Sequence, residues 1–321
     1  MTAPLILAPL RGITEAPFRT LFARFFPGFD SAVAPFINTF QGCRIKPARL
    51  RDLLPENNAA LPIMPQILSK NPDNFVAVAR TLCEMGYPVI NWNLGCPWPM
   101  VANKMRGSGL LPHPDLIDAF LDKACTLPAA ISIKTRLGRR DPHEILALLP
   151  IFNRYPLYEV IIHPRTGVQM YGGTVDLDTF AHCLEECRHP VIYNGDIVTP
   201  ADCSRLAARF PRVAGWMIGR GALTDPFLPA RIKGLPLPAD PLAQLAAFHD
   251  ALFAQFAETQ SGPGHLLGRL KGVWFYLAGS LPDGKKLLKK IQKIHRIDHY
   301  NDLMSAVFRQ NGRPPTQPGD S

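Results

Sequence analysis

Cys96 lies in the stretch VINWNLGCPWPMVANKMRGSGLL, Val89 to Leu111, which runs apolar, turns polar at Asn91 and Asn93, and stops at Gly95-Cys96-Pro97. A thiol with an ordinary pKa of about 8.5 is mostly protonated at neutral pH, so it can give up a proton without a carboxyl group beside it. Most free cysteines are inert packing. What singles this one out is its position, because a parallel α/β barrel gathers its functional groups just past the carboxyl ends of its strands. The loop that follows carries Lys104, Arg106 and Gly107-Ser108-Gly109.

Other apolar runs end in the same way. One ends in Pro9-Leu10-Arg11-Gly12, one carries Gln66, one Lys134 and Arg136, and one His163 and Arg165. The last two close on Asn194-Gly195-Asp196 and Gly219-Arg220-Gly221. Each is weak alone: a strand-end lysine is usually solvated, a lone histidine is usually structural, and a single GRG is a common turn. If they converge on one mouth they make a ligand site. Barrels often hold a phosphate between the loops after strands seven and eight, where glycine lets backbone N–H groups come close. Lys134 and His163 then lie over the axis, where a flavin ring joined to that phosphate would rest. A cation beside its pyrimidine edge stabilises the reduced ring, and Gln66 is placed to hydrogen-bond the same edge.

Eight short apolar runs supply these ends: Leu5 to Leu10, Ser31 to Pro35, Pro62 to Leu68, Val89 to Gly95, Ala130 to Arg136, Glu159 to Arg165, Val191 to Gly195 and Gly215 to Gly219. Helical patterns separate them, several opened by a polar residue and a proline: Asn71-Pro72, His113-Pro114, Asp141-Pro142 and Thr199-Pro200. The alternation predicts a (β/α)8 TIM barrel. Polar and glycine residues are expected at strand C-termini and nowhere else along the strands. The connection from Phe36 to Leu61 is long and basic, with Arg44, Lys46, Arg49 and Arg51 facing either solvent or a phosphate backbone.

Three segments are expected: the barrel over residues 1–234, a smaller all-helical domain over 235–310 after the linker Leu235-Pro236-Leu237-Pro238, and a disordered tail over 311–321. In the helical part Lys286, Lys289, Lys290 and Lys293 recur at three- and four-residue spacing with Leu287, Leu288, Ile291 and Ile294 behind them. Such a face is often merely solvated, but a net charge of +9 and the upstream Trp274, Phe275 and Tyr276 make it a candidate RNA contact. No apolar run is long enough to cross a bilayer. Seven cysteines without a CxxC pair argue against disulfides and zinc and for a reducing cytoplasm. No membrane and no metal are expected.

The ordered motifs Asn93-Leu94-Gly95-Cys96-Pro97, Lys104, Arg106, Gly107-Ser108-Gly109, Lys134-Thr135-Arg136, His163-Pro164-Arg165-Thr166, Asn194-Gly195-Asp196-Ile197 and Gly219-Arg220-Gly221 resemble those of the tRNA-dihydrouridine synthases. The resemblance runs from about Ala8 through Gly221. It implies an FMN-bearing barrel, NADPH as reductant, and a C-terminal helical domain that helps hold tRNA; a monomer is expected, apart from the resemblance. It also implies that Pro9, Leu10, Arg11, Gln66, Lys134, His163, Asn194, Gly195, Asp196, Gly219 and Arg220 contact FMN and that Cys96 is the proton donor. Substrate contacts fall to Asn93, Lys104, Arg106 and Arg165, and to Lys286, Lys289 and Lys293. The chain departs from the family pattern at Leu10-Arg11, where methionine and a small or acidic residue are usual, and at Trp98-Pro99, where a small or polar residue follows the GCP turn.

The implied reaction reduces the C5=C6 bond of uridine, with hydride from reduced flavin reaching C6 and a proton from Cys96 reaching C5. One rival is a flavoenzyme reducing a free pyrimidine, similar to the dihydroorotate and dihydropyrimidine dehydrogenases, which would not need the basic helical region. The other is a tRNA-binding module without redox work, for which a colourless purified protein would speak.

Overall fold

The computed structural model describes residues 3–39 and 47–309. Arg44, Lys46 and the tail over 311–321 lie outside the described residues. Ten strand segments form one parallel sheet: β1 (Leu5–Leu7), β2 (Ser31–Val33), β3 (Ile37–Asn38), β4 (Ile63–Met64), β5 (Gln66–Leu68), β6 (Val89–Leu94), β7 (Ala130–Gly138), β8 (Leu157–Thr166), β9 (Val191–Asn194) and β10 (Gly215–Ile218). Their order is β3-β5-β6-β7-β8-β9-β10-β1-β2-β4. Pro65 splits the strand expected over Pro62 to Leu68 into β4 and β5, because proline has no N–H for the ladder, and β3 follows Pro35 inside the connection expected to be irregular from Phe36 on. Ala32 of β2 pairs with Ile63 of β4, and Ile37 of β3 pairs with Ile67 of β5. The two ends of the sheet are therefore halves of one seam, and the eight expected strands close into a barrel.

Helices Ala16–Phe25, Pro72–Glu84, Pro114–Ala124, Glu144–Phe152, Leu177–Glu186 and Pro200–Arg209 wrap it. Local chemistry sets their starts. Asn71 accepts the Asn74 N–H at 2.9 Å, and Thr199 and Asp202 form a reciprocal capping box. The helix expected from Pro142 begins at Glu144 instead, because the Glu144 carboxylate gathers the N–H groups of Arg139, Arg140 and Asp141 at 2.8, 3.1 and 3.1 Å. Side chains alternate along the strands, so Ile90, Trp92 and Leu94 of β6 face the helices while Asn91 and Asn93 face inward. Trp92 stacks on Phe120 of Pro114–Ala124 with centroids 3.7 Å apart.

The barrel interior has two halves. Ile6, Ala8, Val33, Ile161, Ile192 and Met217 fill one. The other is polar well below the strand ends, with Asn91, Ser132 and Glu159 buried there. This corrects the expectation that polar residues sit at strand C-termini alone: these three are tolerated because each is hydrogen-bonded to the next, so none is left unpaired away from water.

After the exposed linker come helices Pro241–Thr259, Pro263–Leu277, Gly284–Lys293 and Ile297–Arg309. Phe248 packs against Phe18, Phe22 and Phe26, with centroids 5.7, 6.1 and 5.0 Å away. Arg269 donates to the Gly12 carbonyl at 2.6 Å and pairs with Glu15 at 2.8 Å. The helical region thus shares an apolar core with the barrel's first helix and reaches the loop after β1. Among the described residues no helix is long and apolar enough to cross a membrane.

Candidate active site

The carboxyl ends of the strands open into a cavity of about 1040 Å³. Pro9, Leu10, Arg11, Gln66, Asn93, Cys96, Lys134, His163, Asn194, Gly195, Asp196, Gly219 and Arg220 all line it, contributed by seven of the eight strands or the turns that follow them.

Cys96 is 7% exposed. Its backbone is gripped from two directions: Asn93 Oδ1 accepts its N–H at 2.9 Å, and the Ser108 N–H and hydroxyl donate to its carbonyl at 3.1 and 3.0 Å. Burial pushes the thiol above its ordinary pKa, against the pull of the Trp98 backbone N–H and the charges of Arg136, Arg11 and Lys134. The thiol therefore holds its proton at neutral pH, with cations at hand for the thiolate that its loss would leave.

Below Cys96 runs a ladder of buried hydrogen bonds. Asn93 Nδ2 donates to Gln66 Oε1 at 2.8 Å, Gln66 Nε2 to Asn91 Oδ1 at 2.7 Å, Asn91 Nδ2 to Ser132 Oγ at 2.7 Å, and Ser132 Oγ to Glu159 Oε1 at 3.1 Å. Burial raises Glu159 to about 7.

Cations crowd the opposite wall. Lys134 donates to Asn194 Oδ1 at 2.7 Å, and burial, then Arg136, lowers its pKa to about 7. His163 is held well below its usual value by burial and by Arg136, Lys134, Arg165 and Arg220. Arg165 Nη1 lies 3.2 Å from His163 Nε2, and since arginine only donates, the neutral ring carries its proton on Nδ1. Asp196 is the near counter-charge, and it is divided between Arg165 and Arg220. A site with this excess of buried positive charge suits a phosphate-bearing, electron-rich planar ligand, which would restore the charge of Lys134.

Several assigned residues lie elsewhere. Arg165 is not available to substrate: it is 2% exposed, does not line the cavity, and bonds to Asp196 at 2.9 and 2.5 Å and to the carbonyls of Gly172 and Gly173 at 3.1 and 2.8 Å. Its work is to hold the loop after β8 and the turn after β9. Lys104 and Arg106 stand outside the cavity lining, as do the exposed Lys286, Lys289 and Lys293 on Gly284–Lys293.

Conversely, Arg136 belongs to the site: it donates to the Gly95 and Thr166 carbonyls at 3.0 and 2.8 Å and lies over the Tyr171 ring at 5.4 Å. Its i+2 spacing from Lys134 puts both on one face of β7, a signal present in the sequence. Tyr171, Trp98 and Phe275 also line the cavity, and for Tyr171 nothing in the local sequence announces it.

Residues 6–262 match the family model described as Dihydrouridine synthase (Dus). Among similar proteins, the tRNA-dihydrouridine(16) synthase of Cupriavidus necator is 30% identical over 310 residues, 90% of this chain and 92% of that protein. The tRNA-dihydrouridine synthase B of Pseudomonas putida is 29% identical over 319 residues, 95% and 91% of the two chains. Among solved structures, the old yellow enzyme homologue from Zymomonas mobilis superposes with a TM-score of 0.55 at 11% identity, covering 75% of this chain and 91% of that one, a likeness of fold.

Proposed function

The chain belongs to the dihydrouridine synthase family, and from that membership we propose that it reduces uridine to dihydrouridine in tRNA, with FMN in the barrel mouth and NADPH as the reductant. The observation that carries the reading is the protonated, backbone-clamped thiol of Cys96 opening on the same cavity as Lys134, His163 and Arg220. The donor set fits FMN: Arg220 and the backbone of Asn194, Gly195, Asp196 and Gly219 would hold the phosphate end, and Lys134, His163 and Gln66 would meet the ring. When bound, the flavin supplies the hydride that adds to C6 of the uracil ring.

Everything else falls to the chain itself. Cys96 gives its proton to C5, and Arg136, Arg11 and Lys134 oppose the cost of the thiolate that remains. Asn93 holds the Cys96 backbone through its Oδ1 and has a second amide N–H with which to meet a uracil carbonyl. A base stacked in a duplex cannot enter such a mouth, so the uridine must be unpaired or flipped out. Residues 235–310 serve as the tRNA-holding region, with the lysines of Gly284–Lys293 meeting phosphates. Six unpaired cysteines among the described residues suit a cytoplasmic setting.

Cys96→Ala tests the assignment. The variant should keep its flavin, read from the visible spectrum, while dihydrouridine formation in tRNA drops by about a hundredfold or more. Turnover at the parental rate would remove Cys96 from the role of acid.

A further inference from the structure

Large exposed apolar side chains gather at the cavity rim. Trp98 is 58% exposed, Met100 83% and Phe275 59%, and all three line the cavity, although they come from segments far apart in the chain. Trp98 and Met100 follow Cys96, and Phe275 comes from Pro263–Leu277. The other three tryptophans, Trp92, Trp216 and Trp274, are buried, so an indole left in water at this one point is a departure that calls for a partner. Prolines flank Trp98 on both sides, its backbone is extended at φ −56° and ψ 132°, and its carbonyl accepts the N–H groups of Val101 and Ala102 at 2.8 Å each. The backbone that carries the indole is thus fixed before anything binds, which lowers the entropy cost of using it as a platform.

Charge decides what docks there. Arg11, Arg136 and Arg220 line the same cavity, and the Arg220 guanidinium lies 4.6 Å from the Tyr171 ring centroid. Aromatic faces interleaved with guanidinium groups fit a strand that carries both stacking bases and phosphates, rather than an apolar peptide.

We propose that Trp98 and Phe275 are stacking platforms for the unpaired nucleotides on either side of the uridine that enters the cavity, with Met100 packed against the same bases. The proposal rests on the reading of the cavity as a uridine site and adds to it a selection step: bases in a regular helix already stack on one another and offer the lip no face.

Intrinsic emission of the flavin-loaded enzyme sums four tryptophans, and the share of the exposed Trp98 is read as the difference between the parent and Trp98→Leu. Titration with tRNA or with oligouridylate should quench that emission and a fully paired RNA duplex should not, and the response should vanish in Trp98→Leu. In turnover, Trp98→Ala and Phe275→Ala should each cost about tenfold, most of it in KM for tRNA, and Trp98→Phe should recover most of the Trp98→Ala loss. Equal quenching by the duplex, or parental KM in both alanine variants, overturns the lip. A parent enzyme that forms no dihydrouridine would strike the uridine reading instead, whereas normal turnover with unquenched Trp98 would strike the lip alone.

Discussion

Asn93 Oδ1 accepts the backbone N–H groups of Gly95 and Cys96 at 3.2 and 2.9 Å, and this decides which way each amide below it faces. Asn93 must offer its Nδ2 to Gln66, Gln66 its Nε2 to Asn91, and Asn91 its Nδ2 to Ser132, so the Ser132 hydroxyl is left pointing at Glu159. A chain of donors running one way needs an acceptor at its foot, and a buried carboxyl supplies it. The cost is pH-dependent. The folded state holds Glu159's proton up to about 7, where an unfolded glutamate has lost it near 4.5. Between those values the native state binds more protons than the unfolded one, so stability falls as pH rises through the window and the full cost is present above it. Glu159→Gln keeps an acceptor and removes the titration. Relative to the parent it should gain stability between pH 5 and pH 8 by an amount on the order of 3 kcal/mol, read from denaturant unfolding at both pH values. Parallel pH curves would mean that Glu159 does not titrate there. At this scale Cys96 was legible because it lies just past the end of β6, and Lys134 and Gln66 because each is a polar residue inside an apolar strand run. The ladder was not, since Asn91, Ser132 and Glu159 have partners only across three strand pairings.

The loop Gly107–Leu110 shows the same limit for an element. Gly-Ser-Gly is visible as a motif, but what it does depends on contact with Cys96. Gly107 has φ +54°, and a Cβ there would lie 2.8 Å from both the Cβ and the carbonyl oxygen of Cys96. Gly107→Ala therefore meets two penalties, a left-handed backbone and a steric overlap at the acid itself. A loss of roughly 2–3 kcal/mol in stability is expected, together with a fall in dihydrouridine formation larger than that of Ser108→Ala, which removes a single hydrogen bond worth about 1 kcal/mol. Thermal unfolding and turnover, measured side by side, check both; a Gly107→Ala enzyme as stable and active as the parent would show that the loop does not seat the thiol. The periodicity that revealed eight strands also ran straight through Pro65 and stopped at Pro35 short of β3, where the seam actually breaks into two pairings. A strand pattern reports which face is buried and not where the ladder loses a donor.

Across the whole molecule, positive charge and the placing of the helical region have to work together. The basic face of Gly284–Lys293 follows from spacing alone, and Lys286, Lys289 and Lys293 are exposed on it while Leu287 and Ile291 are buried. What spacing does not reveal is that this region is anchored to the barrel, because Phe248 meets the helix Ala16–Phe25 and Arg269 meets Gly12 and Glu15 across more than two hundred residues of chain. If the lysines hold phosphates as proposed, the anchor matters, since a phosphate bound to a freely swinging domain would not aim a uridine at Cys96. If the three lysines each neutralise a phosphate, replacing Lys286, Lys289 and Lys293 with glutamine should weaken tRNA binding at low salt and reduce the slope of log K against log salt by about 2–3. Flavin binding, read from the visible spectrum, needs no phosphate-backbone contact and should be spared. A slope unchanged by the triple substitution would move the phosphate contacts off this helix, leaving the exposed Arg11 and Arg220 of the cavity to supply the salt dependence that remained.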